Sequence, residues 1–181
     1  MKKQNCKVML IWLRGILVGS PIIVVNSTPI ILMQKIGHLD LLHKLYDKIF
    51  IAQAVYQEII IDGSDKINGQ DFLLANNWIE VINVQNIDAK KMFATSLHAG
   101  EVETIILAME KSANLCIFDD LLARKYAERF DLNVTGTLGM LITAKKKNYI
   151  NLVKPLLDSL AFVGMYISEE LYHAVLSLSG E

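Results

Sequence analysis

The chain has 181 residues, a length that fits one domain. Such a domain buries roughly 70% of its unfolded surface without disulfide or metal staples. Hydrophobic residues make up 52% and charged residues 20%, with 10 Gly and 3 Pro, a balance that excludes disordered, collagen-like and low-complexity chains. The formal net charge of -1 offers no global basic surface for nucleic acid.

Residues 1–20 carry Lys2, Lys3, Lys7 and Arg14 and no acid, ahead of a mildly acidic body. Their apolar run from Val8 to Val18 is interrupted by Arg14 and is followed by no A-x-A site, so it is not read as a cleaved signal. It is also too short to span a bilayer. It is read as an extension outside the domain, or as an early start with Met9 the alternative; a membrane-associating segment is the other reading. The domain is expected over 21–181. Of the two cysteines, Cys6 and Cys116, the second lies in the apolar run Leu115-Cys116-Ile117-Phe118 and reads as core. Two such cysteines make no disulfide framework, which points to a reducing cytoplasm.

The run Ile22-Ile23-Val24-Val25 predicts a buried strand. Ser27 or Thr28 is expected to cap the next helix, with Pro29 in its first turn and Gly37 as its stop. Leu39 to Tyr46 predicts a second helix, Lys48 to Ile51 a strand, and Gln53 to Ile61 a helix stopped by Asp62-Gly63-Ser64. Asn68 to Asn77 predicts another helix, and Trp78 to Val84 alternates like a half-exposed strand. Over Glu101 to Ser112, Val102, Ile105, Ile106 and Met109 form a helical apolar stripe. Leu115 to Phe118 is a buried strand, Leu121 to Phe130 a helix, Leu132 to Thr135 a strand and Gly136 to Asn148 a helix. That helix ends in Lys145-Lys146-Lys147, a charge suited to a C-terminus. Pro155 opens a helix that Gly164 closes, and Ser168 caps the last one. Buried strands alternating with helices define a parallel α/β sandwich.

In open α/β sheets, ligands bind beyond the carboxyl ends of the strands. Asn26 follows one apolar strand and Asp119-Asp120 another. Glu101 opens a helix off its apolar stripe, and Glu58 lies on the helix after the second strand. Oxygen ligands of this kind suit Mg²⁺ or Mn²⁺. Two carboxylates ~4 Å apart repel by about 1 kcal/mol in water and about 4 kcal/mol at an effective dielectric of ~20, a cost that a dication removes. Each residue also has a structural reading: Asp119 or Asp120 as an N-cap, Glu101 as a helix-start acid, Glu58 as a solvated residue. His38, His43, His98 and His173 show no ligand spacing, and no phosphate-binding glycine loop is present. Arg124, Lys125 and Arg129 with the lysine run offer cations to a phosphate backbone.

Val25-Asn26-Ser27-Thr28-Pro29-Ile30-Ile31, Gly37-His38-Leu39-Asp40-Leu41-Leu42, Ala54-Val55-Tyr56-Gln57-Glu58-Ile59, Gly100-Glu101-Val102-Glu103-Thr104-Ile105, Asp119-Asp120 with Ala123-Arg124, and Val134-Thr135-Gly136-Thr137-Leu138-Gly139 follow one another in collinear order. Together they resemble the PIN-domain-like prokaryotic proteins linked to toxin–antitoxin nucleases. The resemblance implies a three-layer sandwich with a central parallel sheet, and an Mg²⁺ or Mn²⁺ site that hydrolyses RNA. Asn26, Glu101, Asp119 and Asp120 would hold the metal; Glu58, Glu101, Asp119 and Asp120 would form the catalytic set. Glu58 would hold metal or position water, and Thr28 and Arg124 would contact substrate. Asn26 departs from the Asp of the wider superfamily, and its amide ligates without adding charge. The implied partners are an RNA substrate and a small antitoxin; the alternative is a scaffold that binds protein or RNA with weakened catalysis. The apolar helices after Pro155 and Ser168 add the expectation of a homodimer.

Overall fold

The computed structural model describes residues 20–62, 69–86 and 97–181. The expected leader, Cys6, and the turn and helix start around Gly63 to Asn68 lie outside those residues. Five strands, β1 (Ile23–Val25), β2 (Ile49–Ala52), β3 (Ile79–Ile82), β4 (Leu115–Ile117) and β5 (Val134–Thr135), form one sheet in the order β3-β2-β1-β4-β5. Every pairing is parallel, with Val24 opposite both Phe50 and Cys116, Ile51 opposite Val81, and Ile117 opposite Thr135.

Nine helices among the described residues flank the sheet: α1 (Ser27–Lys35), α2 (Asp40–Tyr46), α3 (Gln53–Asp62), α4 (Gly69–Ala75), α5 (Ala99–Glu110), α6 (Leu121–Arg129), α7 (Thr137–Lys146), α8 (Lys154–Phe162) and α9 (Glu169–Ser179). The central strands are wholly apolar because helices cover both faces of the sheet. Val24, Ile51, Cys116, Ile117 and Phe118 are wholly buried. Burial pushes the Cys116 thiol up to about 12, so this cysteine is inert core material. The half-exposed alternation expected around Trp78 to Val84 belongs to β3, an edge strand.

Two local expectations change. The first helix starts at Ser27, one or two residues earlier than a Ser27 or Thr28 cap allows, and its N-cap is Asn26. Pro29 is tolerated there because the first-turn N–H groups lack helical partners anyway. In α5, Met109 is 45% exposed while Thr104, Leu107 and Ala108 are buried. That helix packs against both α3 and strands β1, β2 and β4, so more than one stripe is covered. Near the C-terminus, Gly164 takes φ +100° after α8, a left-handed turn that glycine adopts freely. Ser168 then caps α9 by accepting from the Leu171 N–H at 3.2 Å.

Strand order reverses direction at β1: the chain moves outward to β2 and β3, then crosses back to β4 and β5. The carboxyl ends of β1 and β4 therefore border the topological switch point, where α/β sheets open a crevice.

Candidate active site

Asn26 leaves the end of β1. Its N–H donates to the Ile117 carbonyl at 3.1 Å, so the β1–β4 ladder continues past β1. Asn26 thus lies beside Phe118, with Asp119 and Asp120 next along the neighbouring chain. It is 3% exposed. The Thr104 hydroxyl lies 3.4 Å from its Oδ1 but also donates to the Gly100 carbonyl at 2.7 Å. A hydroxyl has one proton, and the shorter contact is the better bond. The Asn26 amide oxygen therefore keeps accepting capacity at a buried position.

Glu101 sits in the first turn of α5, where its Oε2 accepts from the His98 N–H at 2.9 Å. Burial pushes its carboxyl above the usual range; the His98 N–H works against that, and the negative charges of Asp120 and Glu58 reinforce it. Asp120 N-caps α6, accepting from the Ala123 N–H at 2.8 Å through Oδ1. This leaves its second oxygen outside the cap. Glu101 and Asp120 thus make the helix-start bonds expected of them, each through one carboxylate oxygen.

Asp119 and Glu58 are committed differently. Asp119 accepts from the Thr137 N–H at 2.8 Å and from the Thr137 hydroxyl at 2.6 Å. Burial raises its carboxyl, while the two Thr137 bonds and the nearby Arg124 guanidinium lower it. Glu58 accepts the Gly100 N–H at 2.9 Å on one oxygen and the Ser27 hydroxyl at 2.5 Å on the other. Thr28 is exposed in the first turn of α1.

The structure therefore brings Asn26 and Glu58 to the first turns of α5, through Thr104 and Gly100, and sets Asp120 and Glu58 within electrostatic reach of Glu101. Asp119 is instead bound to Thr137 at the start of α7, with the Arg124 charge nearby. Thr104, Gly100, Ser27 and Thr137 complete the arrangement. Thr104 is legible only as a polar residue amid the apolar helix, four positions after Gly100.

The donor set of Asn26, Glu101 and Asp120 is all oxygen. Mg²⁺ commonly takes one or two protein carboxylates and keeps several waters, which these residues match. Burial first, and the charges of Asp120 and Glu58 after it, disfavour the Glu101 carboxylate, a condition that a cation relieves. Among the described residues, no three His, Cys, Asp or Glu side chains gather into a metal cluster. The fit is to a water-rich, two-carboxylate site rather than a closed cage.

An all-parallel α/β sheet with an acidic, oxygen-only edge at its switch point defines the class. The chain belongs to the PIN-domain family, whose sequence profile matches residues 22–181. No curated protein matches it. The PIN fold is nuclease-like, and the family generally comprises nucleases that use divalent metals. No helix among the described residues is long and apolar enough to cross a membrane.

Proposed function

We propose that this protein is a metal-dependent ribonuclease and the toxin of a toxin–antitoxin pair. One observation carries the reading: Glu101, within electrostatic reach of Asp120 and Glu58, opens the helix whose Thr104 hydroxyl lies 3.4 Å from the buried Asn26 amide oxygen. Asn26, Glu101 and Asp120 would hold Mg²⁺ or Mn²⁺. The ion, when bound, supplies charge stabilisation at phosphoryl oxygens and acidifies a water.

The chain's own groups do the rest. Burial of Asn26 keeps bulk water from the amide. The His98 N–H fixes one Glu101 oxygen, and the other would bind the metal. Asp119 locks the start of α7 against the end of β4 through Thr137 and sets its negative charge near Arg124. The Arg124 guanidinium offers charge-assisted donors to an RNA phosphate. The Thr28 hydroxyl is exposed for the same purpose.

A small antitoxin or a second copy would cover the last two helices. There Phe162 is 93% and Tyr166 89% exposed. A groove of about 590 Å³ runs from Asp120 and Arg124 to Leu171 and Leu178. Exposed aromatic side chains beside a groove suit a partner surface. Light scattering reporting only monomer well above micromolar concentration would remove the homodimer. The cysteine usage supports action in a reducing cytoplasm.

Asn26 itself favours a second reading, a PIN scaffold that binds RNA or protein with weakened catalysis, because the amide adds no charge for the metal. Cleavage of labelled single-stranded RNA with Mn²⁺, together with growth arrest on expression relieved by the neighbouring gene product, tests the first reading. RNA binding without Mn²⁺-dependent cleavage selects the second.

A further inference from the structure

Resting on the nuclease reading, we infer that Glu58 is a positioning residue, whose carboxylate fixes the start of α5 against the start of α1 and so holds the helix turn that carries Glu101 against the turn that follows Asn26. The two Glu58 oxygens are spent on two different helices. One accepts the Gly100 N–H at 2.9 Å in the first turn of α5. The other accepts the Ser27 hydroxyl at 2.5 Å in the first turn of α1. First-turn N–H groups have no partner within their helix, so a carboxylate from outside satisfies one and is favoured by the helix dipole.

The residues so tied are the immediate neighbours of the proposed ligands. Ser27 follows Asn26, and Gly100 precedes Glu101. One turn further into α5, Thr104 donates to the Gly100 carbonyl and reaches the Asn26 Oδ1. Glu58, Gly100 and Thr104 thus form one hydrogen-bonded run at the start of α5, and Thr104 packs 3.4 Å from the Asn26 amide oxygen. Gly100 is required by this contact. A Cβ there would meet both Glu58 oxygens, the farther at 2.5 Å, a distance real Cβ atoms do not tolerate. The glycine before Glu101 lets the carboxylate approach the backbone.

Glu58→Gln separates positioning from ligation. The glutamine oxygen accepts from Gly100 as before, and its amide donates to Ser27, whose hydroxyl also accepts. Geometry survives while the charge is lost. Glu58→Ala removes both bonds, and Gly100→Ala displaces the carboxylate.

The experiment measures amide hydrogen exchange across 98–104 and Mn²⁺ affinity by calorimetry, on the full chain. Glu58→Ala and Gly100→Ala are expected to expose the Gly100 amide and weaken Mn²⁺ binding about ten-fold, the usual penalty for losing an outer partner of a ligand. Glu58→Gln is expected to keep the protection and hold affinity within about three-fold. The double variant Glu58→Ala/Gly100→Ala should be no worse than Glu58→Ala, because the clash has no partner left. Should Glu58→Ala not fold, Ser27→Ala removes one bond and is expected to raise exchange at Gly100 by a smaller factor. Glu58→Gln losing affinity with its amides still protected would overturn the inference, because the carboxylate would then be a ligand itself. Unchanged Gly100 protection in Ser27→Ala and Glu58→Ala would overturn it as well. A wild type that takes up no Mn²⁺ sinks the nuclease reading, while the exchange data still decide the role of Glu58.

Discussion

Glu101 and Glu181 are both carboxylates placed against the start of a helix, and their surroundings act on them in opposite directions. Glu181 accepts from the Lys145 ammonium and the Val153 N–H, both at 2.6 Å, and from the Lys154 N–H at 3.0 Å. Burial alone would raise its carboxyl, yet the Lys145 bond and the two N–H groups outweigh that and hold it at about 2. Glu101 has one N–H donor, buried surroundings and two acidic neighbours, so its carboxyl rises. One region spends its donors on a charge and is stabilised by it. The other leaves charge under-compensated, the state a cation or a substrate proton relieves.

Removing the under-compensated charge is expected to give the largest effect. Glu101→Gln keeps an acceptor for the His98 N–H but deletes the negative charge. Mn²⁺-dependent RNA cleavage should fall by about 10²–10³-fold, while the melting temperature at neutral pH stays level or rises. The sign follows from the raised carboxyl. The folded state holds that proton more tightly than the unfolded chain, so its stability declines as pH rises through the ordinary carboxylate range and is regained in acid. A neutral side chain removes that decline. Equal losses in activity and in stability would break the contrast with Glu181.

Asn26→Asp probes the same edge by adding charge. Attraction to a dication is offset by repulsion among the carboxylates and by dehydration of the ion. A net gain of about 1–2 kcal/mol, roughly ten-fold tighter Mn²⁺ binding, is expected by calorimetry. Without metal, the variant should melt below wild type near neutral pH, because Glu101 and Asp120 face one more anion. Unchanged affinity would remove Asn26 from the ligand set.

Much of this edge is legible in the sequence because its residues sit at strand ends, and strand ends are marked by local patterns. Val24-Val25 followed by Asn26, and Ile117-Phe118 followed by Asp119-Asp120, declare themselves through apolar runs that stop at polar residues. The partners of those residues are not local. Thr137 reaches Asp119 across 18 positions and Gly100 reaches Glu58 across 42, so no periodicity announces either contact. The same limit hides Glu181, whose three donors lie 27 to 36 positions earlier. The start of α1 is misjudged for a different reason. Proline marks a first turn but not which residue of that turn it occupies.

Glu181→Gln should lower the melting temperature by about 2–4 °C at pH 7, the shift that corresponds to about 1 kcal/mol in a domain of this size. Its pH dependence is the mirror image of that at Glu101. A carboxyl held at about 2 against an ordinary value near 4.5 contributes fully above 4.5 and loses that contribution as pH falls toward 2. Wild type and variant should therefore differ at pH 7 and converge near pH 2–3. Thermal unfolding across that range would show a constant difference if Glu181 acted only through packing.

Asp158 supplies the smallest effect and tests whether donors or burial make the difference. Like Glu181, it accepts from an ammonium, Lys154 Nζ at 2.7 Å, and it also accepts from the Tyr172 hydroxyl at 2.6 Å. The Lys154 bond first and the Tyr172 bond second hold its carboxyl below the ordinary value. Its side chain, however, is 51% exposed, against 11% for Glu181. Water competes for both partners, salt screens the pair, and holding two long side chains in one geometry costs entropy. Asp158→Asn is expected to move the melting temperature by less than about 1 °C, and 0.5 M salt should erase what remains. A loss equal to that of Glu181→Gln would mean that donor count governs these carboxylates. A negligible loss leaves exclusion of water as the property that separates Glu181 from Asp158, the same property that makes the under-compensated charge of Glu101 costly.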